Sequence, residues 1–295
     1  MFILKYIVNV RVIREDSITF ADQIQQVDTT GVEPLITVLE DRPLETRKDI
    51  VTEVQLQTLM FVSPSTSSQY FYNWQRQRRI WWRKFSASPG RYALTDIQTS
   101  PSGEQRIEIT STYPWGSHVI ETIHLNPNGH QSLNNDQLLM KDGRKRVHAH
   151  CISSITHLST MVLNTLCDAY DDPVFQDVSR PLLRFHRKIA PYKISFAIST
   201  SNAANTEELN ELALYLCKQL RVNNVSVLLL PTASRISLDS QWCQYDQLGI
   251  PYSILLNDST LKNGIANLRS RDTKLKEQVH ISDLSNYVDQ LFKNY

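Results

Sequence analysis

The sequence predicts an α+β domain built on an antiparallel sheet, followed by an α/β domain with a mixed sheet. Three observations carry this reading. Residues 190–256 spell strand, helix, strand, helix, strand, an order that forces parallel pairing through crossovers. Two β-rich runs, Arg106–Thr110 and Val119–Ile123, flank the turn-like Tyr113-Pro114-Trp115-Gly116 and imply an antiparallel pair. Between these regions Asp171-Asp172-Pro173 and the polar residues to Arg180 read as a linker, so the expected domains are 1–178 and 179–295.

Element by element, the first fourteen residues have high β propensity in Ile3, Tyr6, Ile7, Val8, Val10, Val12 and Ile13, and read as a strand. Lys5, Arg11 and Arg14, with no acid before Glu15, also fit the charge of a mitochondrial presequence, although serine is missing. Residues 15–70 have poor periodicity apart from a strand-like Pro34–Leu39, and Ser63–Ser68 reads as a loop. Tyr70–Phe85 is helix-compatible and ends at Ser88-Pro89-Gly90. Leu158, Met161, Val162, Thr165, Leu166 and Ala169 share one face of a further helix.

In the last third, Tyr192–Ile198 is a strand. Asn205, with Glu208 three residues on, is the expected cap of a helix bearing Leu209, Leu212, Ala213, Leu216, Cys217 and Leu220. Strands follow at Val225–Leu230 and Tyr252–Leu256, around a helix over Leu238–Leu248 closed by Gly249. Ile265–Leu268 and Gln278–Ile281 are further strands, and Ser282 is the expected cap of a last helix with Leu284, Tyr287, Val288 and Leu291.

Composition removes several function classes. No apolar run approaches the ~18 residues of a spanning helix. Glycine occurs only 8 times, and no two glycines stand at the spacing of a phosphate-cradling loop. The 4 cysteines are scattered without a C-x-x-C pair, which fits a reducing compartment better than a zinc knuckle or a disulfide framework. The net charge of +1 hides an uneven distribution: residues 1–70 hold 6 Lys/Arg against 10 Asp/Glu, whereas 181–295 hold 13 against 10.

No nucleophile elbow, zinc-protease or cysteine-nucleophile signature is present, so no catalytic centre is predicted. His148-x-His150 before Cys151 could pair two imidazoles on a strand, but no third and fourth ligand lies nearby, and neither a metal nor another cofactor is expected. Trp74–Phe85 places Arg78, Arg79 and Arg83 among three tryptophans with no acid. Arginines there could neutralise nucleic-acid phosphates while the rings stack, or the rings could pack in the protein's own core and leave only the arginines outside. The second basic cluster, Arg144, Lys145 and Arg146 after Lys141-Asp142-Gly143, sits on a turn and is the stronger phosphate-contact candidate, although a solvated loop explains it too.

The last third resembles the anticodon-binding domain of class II aminoacyl-tRNA synthetases of the glycyl type. The residues are Ala190-Pro191-Tyr192-Lys193-Ile194, Ser240–Ile250, Asn263-Gly264-Ile265, Leu268-Arg269-Ser270-Arg271-Asp272-Thr273 and Val279-His280-Ile281-Ser282-Asp283-Leu284. Upstream, Trp81-Trp82-Arg83-Lys84-Phe85-Ser86, Tyr113-Pro114-Trp115-Gly116 with Ile120-Glu121-Thr122, and Lys141-Asp142-Gly143-Arg144-Lys145 resemble a narrower family, the accessory subunits of mitochondrial DNA polymerase gamma. The likeness covers 70–295.

That resemblance implies a degenerate class II synthetase-like domain joined to an anticodon-binding-like one. It also implies a mitochondrial location in the matrix nucleoid, and a non-catalytic role in binding the polymerase catalytic subunit and raising its affinity for duplex or primer-template DNA and its processivity. A tRNA-binding relative of the synthetases, or a glycyl-type synthetase, is the alternative. Where a synthetase's glycine-rich third motif would present an arginine to ATP, this chain reads Ser153–Thr160, without glycine or arginine. The polymerase contact is expected around Leu261, Arg269, Arg271 and Asp272. Arg269 and Arg271 alternate on a strand and could bond a partner, or Arg271 could pair internally with Asp272 or Asp283. The resemblance also implies that homodimers of that family form through a helical insertion upstream of the segment matching Trp81–Phe85; only 80 residues precede Trp81 here, without paired long amphipathic helices, so a heterodimer is expected rather than a homodimer.

Overall fold

The computed structural model describes residues 5–14, 52–129, 138–175 and 178–293. The chain divides into two compact units, one of residues 1–84 and 89–164, the other of 85–88 and 165–295. The division falls inside a helix, ahead of the linker that composition points to. The expected strand at Pro34–Leu39 lies outside the described residues.

In the first unit, β1 (Lys5–Arg14) and β2 (Thr52–Val62) lead to α1 (Ser67–Phe85). They are followed by β3 (Tyr92–Leu94), β4 (Gln98–Thr99), β5 (Gln105–Tyr113), β6 (Gly116–Asn126), β7 (Leu139–Asp142), β8 (Lys145–His148) and β9 (His150–His157). An antiparallel sheet runs β1-β2-β9-β6-β5-β3, with β4 also on β5, while β7 and β8 form a separate hairpin. The period of two is clear in β5, where Ile107, Ile109, Ser111 and Tyr113 are buried. Against this face α1 lays Phe71 and Trp82, among Met60, Ile123 and Ile152.

The pairing of β5 with β6 shifts register between Ile109, opposite Glu121, and Thr110, opposite Val119. Ile120 is therefore the extra residue of a bulge, and both Ile120 and Glu121 end up buried. Glu121 is 1% exposed. Arg78 Nε and Nη2 donate to its carboxylate at 2.7 and 2.9 Å, and Trp82 Nε1 donates at 2.7 Å. Ser154 Oγ donates to it as well. Helix α1, β6 and β9 thus meet on one ion.

The helix α2 (Leu158–Ala169) corrects the apolar-face expectation. Of the expected face Met161 packs against the core and Ala169 is buried, but Leu158, Val162 and Leu166 are 45%, 51% and 41% exposed, whereas Asn164 and Asp168 are buried. Polar bonds decide the orientation. Tyr113 Oη donates to Asn164 O and Oδ1 at 3.0 and 2.8 Å, and Asn164 Nδ2 donates to Tyr92 Oη at 3.0 Å. Within the other unit, Ser86 Oγ and Ala87 N donate to the Asp168 carboxylate at 2.9 and 2.7 Å. Unmade, each of these buried groups would cost its desolvation, about 1–3 kcal/mol, so the helix faces inward along its polar side.

The second unit begins with short pairs, β10 (Tyr170–Asp171) with β13 (Leu182–Leu183) and β11 (Val174–Phe175) with β12 (Val178–Ser179). Its main elements are β14 (Ile194–Ser199), α3 (Asn205–Val222), β15 (Val227–Leu229), α4 (Leu238–Gln247), β16 (Tyr252–Asn257), α5 (Asp258–Asn263), β17 (Ile265–Ser270), β18 (Lys276–His280) and α6 (Leu284–Lys293). The sheet order is β15-β14-β16-β17-β18. β14 is parallel to both β15 and β16, and β17 and β18 add antiparallel, so the sheet is mixed. Leu209, Ala213, Leu216 and Leu220 of α3 and Leu284 and Val288 of α6 cluster with Ile194, Phe196 and Ile198. Tyr245 of α4 clusters instead with Ala197 and Leu255, the residues of alternate parity. Gly249 closes α4 at φ +74°, where a Cβ would come within 2.4 Å of the Phe185 ring.

Asn205 does not cap α3. Ala204 flanks the helix without a side-chain cap, and Asn205 is already its first residue. The Asn205 amide donates instead to Asp258 at 2.9 Å. The same carboxylate accepts from Thr200 Oγ1, Ser201 N and Ser201 Oγ. These bonds, Thr200's first, hold its pKa down to about 2 from 3.8.

Two outcomes follow from these carboxylates. Removing Glu121 strands Arg78 and Trp82 Nε1, so Glu121→Ala is expected to lose about 3–5 kcal/mol in urea unfolding; a loss below about 1 kcal/mol would contradict the network. A depressed folded-state pKa gives Asp258 a stabilising contribution that is present above 3.8 and lost as pH falls through about 2. The gap in urea midpoint between wild type and Asp258→Asn should therefore narrow from pH 4 towards pH 2, and a pH-independent gap would refute it.

Candidate functional site

The strongest candidate surface is the hairpin of β7 and β8. Its register pairs Leu139 with His148, Met140 with Val147, Lys141 with Arg146 and Asp142 with Lys145, leaving Gly143-Arg144 as a two-residue turn. Only a residue at ease with positive φ suits the first turn position, and Gly143 takes it at +60°. Paired residues share a face. Lys141, Arg146 and His148 therefore lie on one side with Leu139, and Asp142 and Lys145 on the other. Lys141, Arg144, Lys145, Arg146 and His148 are all exposed. Two cations directly opposite each other weaken a ladder, so the Lys141–Arg146 pair is not there for the hairpin's own stability.

The α1 arginines separate by role. Arg78 is held by Glu121 and lies 4.8 Å from the Trp81 ring centroid. Arg79 is half-buried, with its Nε enclosed. Arg83 is exposed, as is Arg76 two turns earlier on the same face. Of the tryptophans, Trp82 is in the core and Trp74 packs against it, while Trp81 stands edge-on to Trp82 at 5.1 Å. Trp82 and Trp74 thus belong to the core, whereas Trp81, 37% exposed, lies at the surface with Arg76, Arg83 and Lys84.

In the second unit Arg269 is 5% exposed and bonds both oxygens of Asp246, at 3.0 and 2.9 Å. Lys274 Nζ joins the same carboxylate at 2.8 Å, and the Trp242 ring lies 4.9 Å from the Arg269 guanidinium. Arg271, 3% exposed, falls just beyond the end of β17. It donates to the carbonyls of Leu183, Gly249 and Phe185 at 2.9, 2.9 and 3.0 Å and pairs with Asp272. Both guanidinia are therefore engaged inside the unit, which is the internal alternative. Leu261 packs on the core edge. Asp272, Thr273 and Lys274 are exposed, as is Leu275 at 69%.

His148 and His150 do not share a strand, since β8 ends at one and β9 begins at the other. His150 Nδ1 lies 3.0 Å from Ser67 Oγ, and burial lowers its pKa. The sequence already marks Lys141 as part of the exposed turn cluster and Arg76 as part of the basic run, whereas His148 stands out there only as a possible ligand and not as a surface cation. The spacing of seven between Arg76 and Arg83, and the turn signal Asp142-Gly143, were the available clues.

A family model described as the anticodon binding domain matches residues 195–291, the span of the mixed sheet and its helices. Another, the Glu-tRNAGln amidotransferase C subunit, matches 14–72. The mitochondrial DNA polymerase subunit gamma-2 of Drosophila melanogaster is 31% identical over 82% of this chain and 68% of its own length. The chain belongs to the DNA polymerase gamma-2 subunit family. The Mus musculus member is 33% identical over 82% of this chain and 54% of its own length, so the chain spans about half of that relative. Membership carries the synthetase likeness with it: a glycine–tRNA ligase of Borreliella burgdorferi is 25% identical over 82% of the chain.

Proposed function

We propose that this chain is a non-catalytic accessory subunit of mitochondrial DNA polymerase, acting in the matrix nucleoid as a one-to-one heterodimer with the catalytic subunit. In this reading it raises the enzyme's affinity for primer-template DNA and its processivity. The observation that carries it is family membership over 82% of the chain. The exposed basic hairpin supports the DNA contact: Arg144, Lys145 and Arg146, with Lys141, can neutralise phosphates and read no sequence. Arg83 and Arg76 extend that role on α1, while Arg78 serves chiefly to hold the helix.

The partner contact is assigned to the segment from Leu261 to Leu275. Asp272, Lys274 and Leu275 supply the exposed groups, and Arg269 and Arg271 act by fixing the turn that presents them. Lack of catalysis is supported by the end of β9, where Ser154 and Thr156 turn their hydroxyls inward, to Glu121 and to Ile120 O. Residues 153–160 carry neither lysine nor arginine to meet the charge of a triphosphate.

The test adds the purified chain in stoichiometric amount to its catalytic subunit in primer extension at near-physiological salt. Longer products are expected, together with background ATP–pyrophosphate exchange in the presence of glycine. Unchanged product lengths would refute the accessory role, and robust exchange would favour the synthetase alternative.

A further inference from the structure

The basic hairpin carries one acid, and that acid is its most specific feature. Asp142 stands at the turn among Lys141, Arg144, Lys145 and Arg146. A carboxylate there weakens the field that draws in a polyanion, so it needs another reason. Its Oδ2 accepts from Ser63 Oγ and, at 2.9 Å, from Ser65 Oγ. These bonds, Ser63's first, hold the carboxyl below the ordinary carboxylate range.

Both serines sit in the loop between β2 and α1. Ser63 is buried, and its hydroxyl also lies 2.9 Å from that of Ser65. The hairpin shares no ladder with the main sheet. Among the described residues, the side-chain hydrogen bonds from 139–148 to the rest of the unit are those of Asp142. Because Asp142 and Lys145 share one face, tying Asp142 to the loop turns the opposite face, with Lys141 and Arg146, away from it.

We propose that Asp142 is a positioning residue, which ties the hairpin to Ser63 and Ser65 so that Lys141 and Arg146 are presented to a nucleic-acid phosphate backbone. This rests on the DNA-contact reading above and names the residue that orients that contact. The acid costs the surface one unit of charge and supplies direction.

The two effects have opposite signs, which makes the test sharp. Duplex DNA affinity of the whole chain is measured by fluorescence anisotropy across a salt series. Asp142→Ala gains net positive charge, yet it should bind about tenfold more weakly, because the charge-assisted bonds that orient the hairpin are gone. Asp142→Asn keeps an oxygen able to accept from both serines, which already share one, and should bind at least as tightly as wild type. Ser63→Ala/Ser65→Ala should weaken binding without changing charge, and it decides the question if Asp142→Ala loses its thermal transition.

Lys141→Ala/Arg146→Ala should lower the salt slope of log K by about 1.8, at ~0.9 per phosphate contact. If Asp142→Ala binds as tightly as Asp142→Asn, positioning is overturned while the DNA surface stands. If the Lys141/Arg146 variant keeps the wild-type slope, the DNA surface itself falls, and the proposal with it.

Discussion

Glu121 is an ion placed almost entirely out of water, a placement that is tolerable only where its lone pairs are used. The bulge at Ile120 turns it inward, and Arg78 and Trp82 of α1 and Ser154 of β9 complete it. Apolar packing alone would let α1 slide along the sheet, because ring-to-methyl contacts have little direction. A bidentate guanidinium–carboxylate pair fixes the helix in register and rotation. Once α1 is fixed, so is the loop that precedes it, with Ser63 and Ser65, and through Asp142 the basic hairpin depends on the same frame.

The same economy runs through the second unit. Asp246 gathers Arg269 and Lys274, and Arg271 satisfies three carbonyls at once. Cations that look like contact residues in the sequence thus hold the ends of strands and turns. The groups left outside, Asp272, Lys274 and Leu275, project from the turn they build.

What the sequence revealed follows from what periodicity measures. The strands and the mixed sheet were legible because β14 and β16 are nearly continuous apolar runs and β5 alternates. The orientation of α2 was not. Its apolar period is real, but Asn164 and Asp168 hold it from the other side through bonds to residues 51 to 82 positions away. Asn205 looked like a cap for the same reason, since its true acceptor, Asp258, is 53 residues on. The basic cluster was legible as exposed, but its sidedness needed the register that pairs Lys141 with Arg146.

In the proposed role a synthetase-like frame serves a polymerase and performs no chemistry of its own. The most direct measurement is recovery of the tagged chain from mitochondria at near-physiological salt, with its partners quantified by mass spectrometry. The proposed role predicts the catalytic subunit of DNA polymerase in a one-to-one ratio with the chain. Recovery of the chain with tRNA or by itself, and without that subunit, would contradict it.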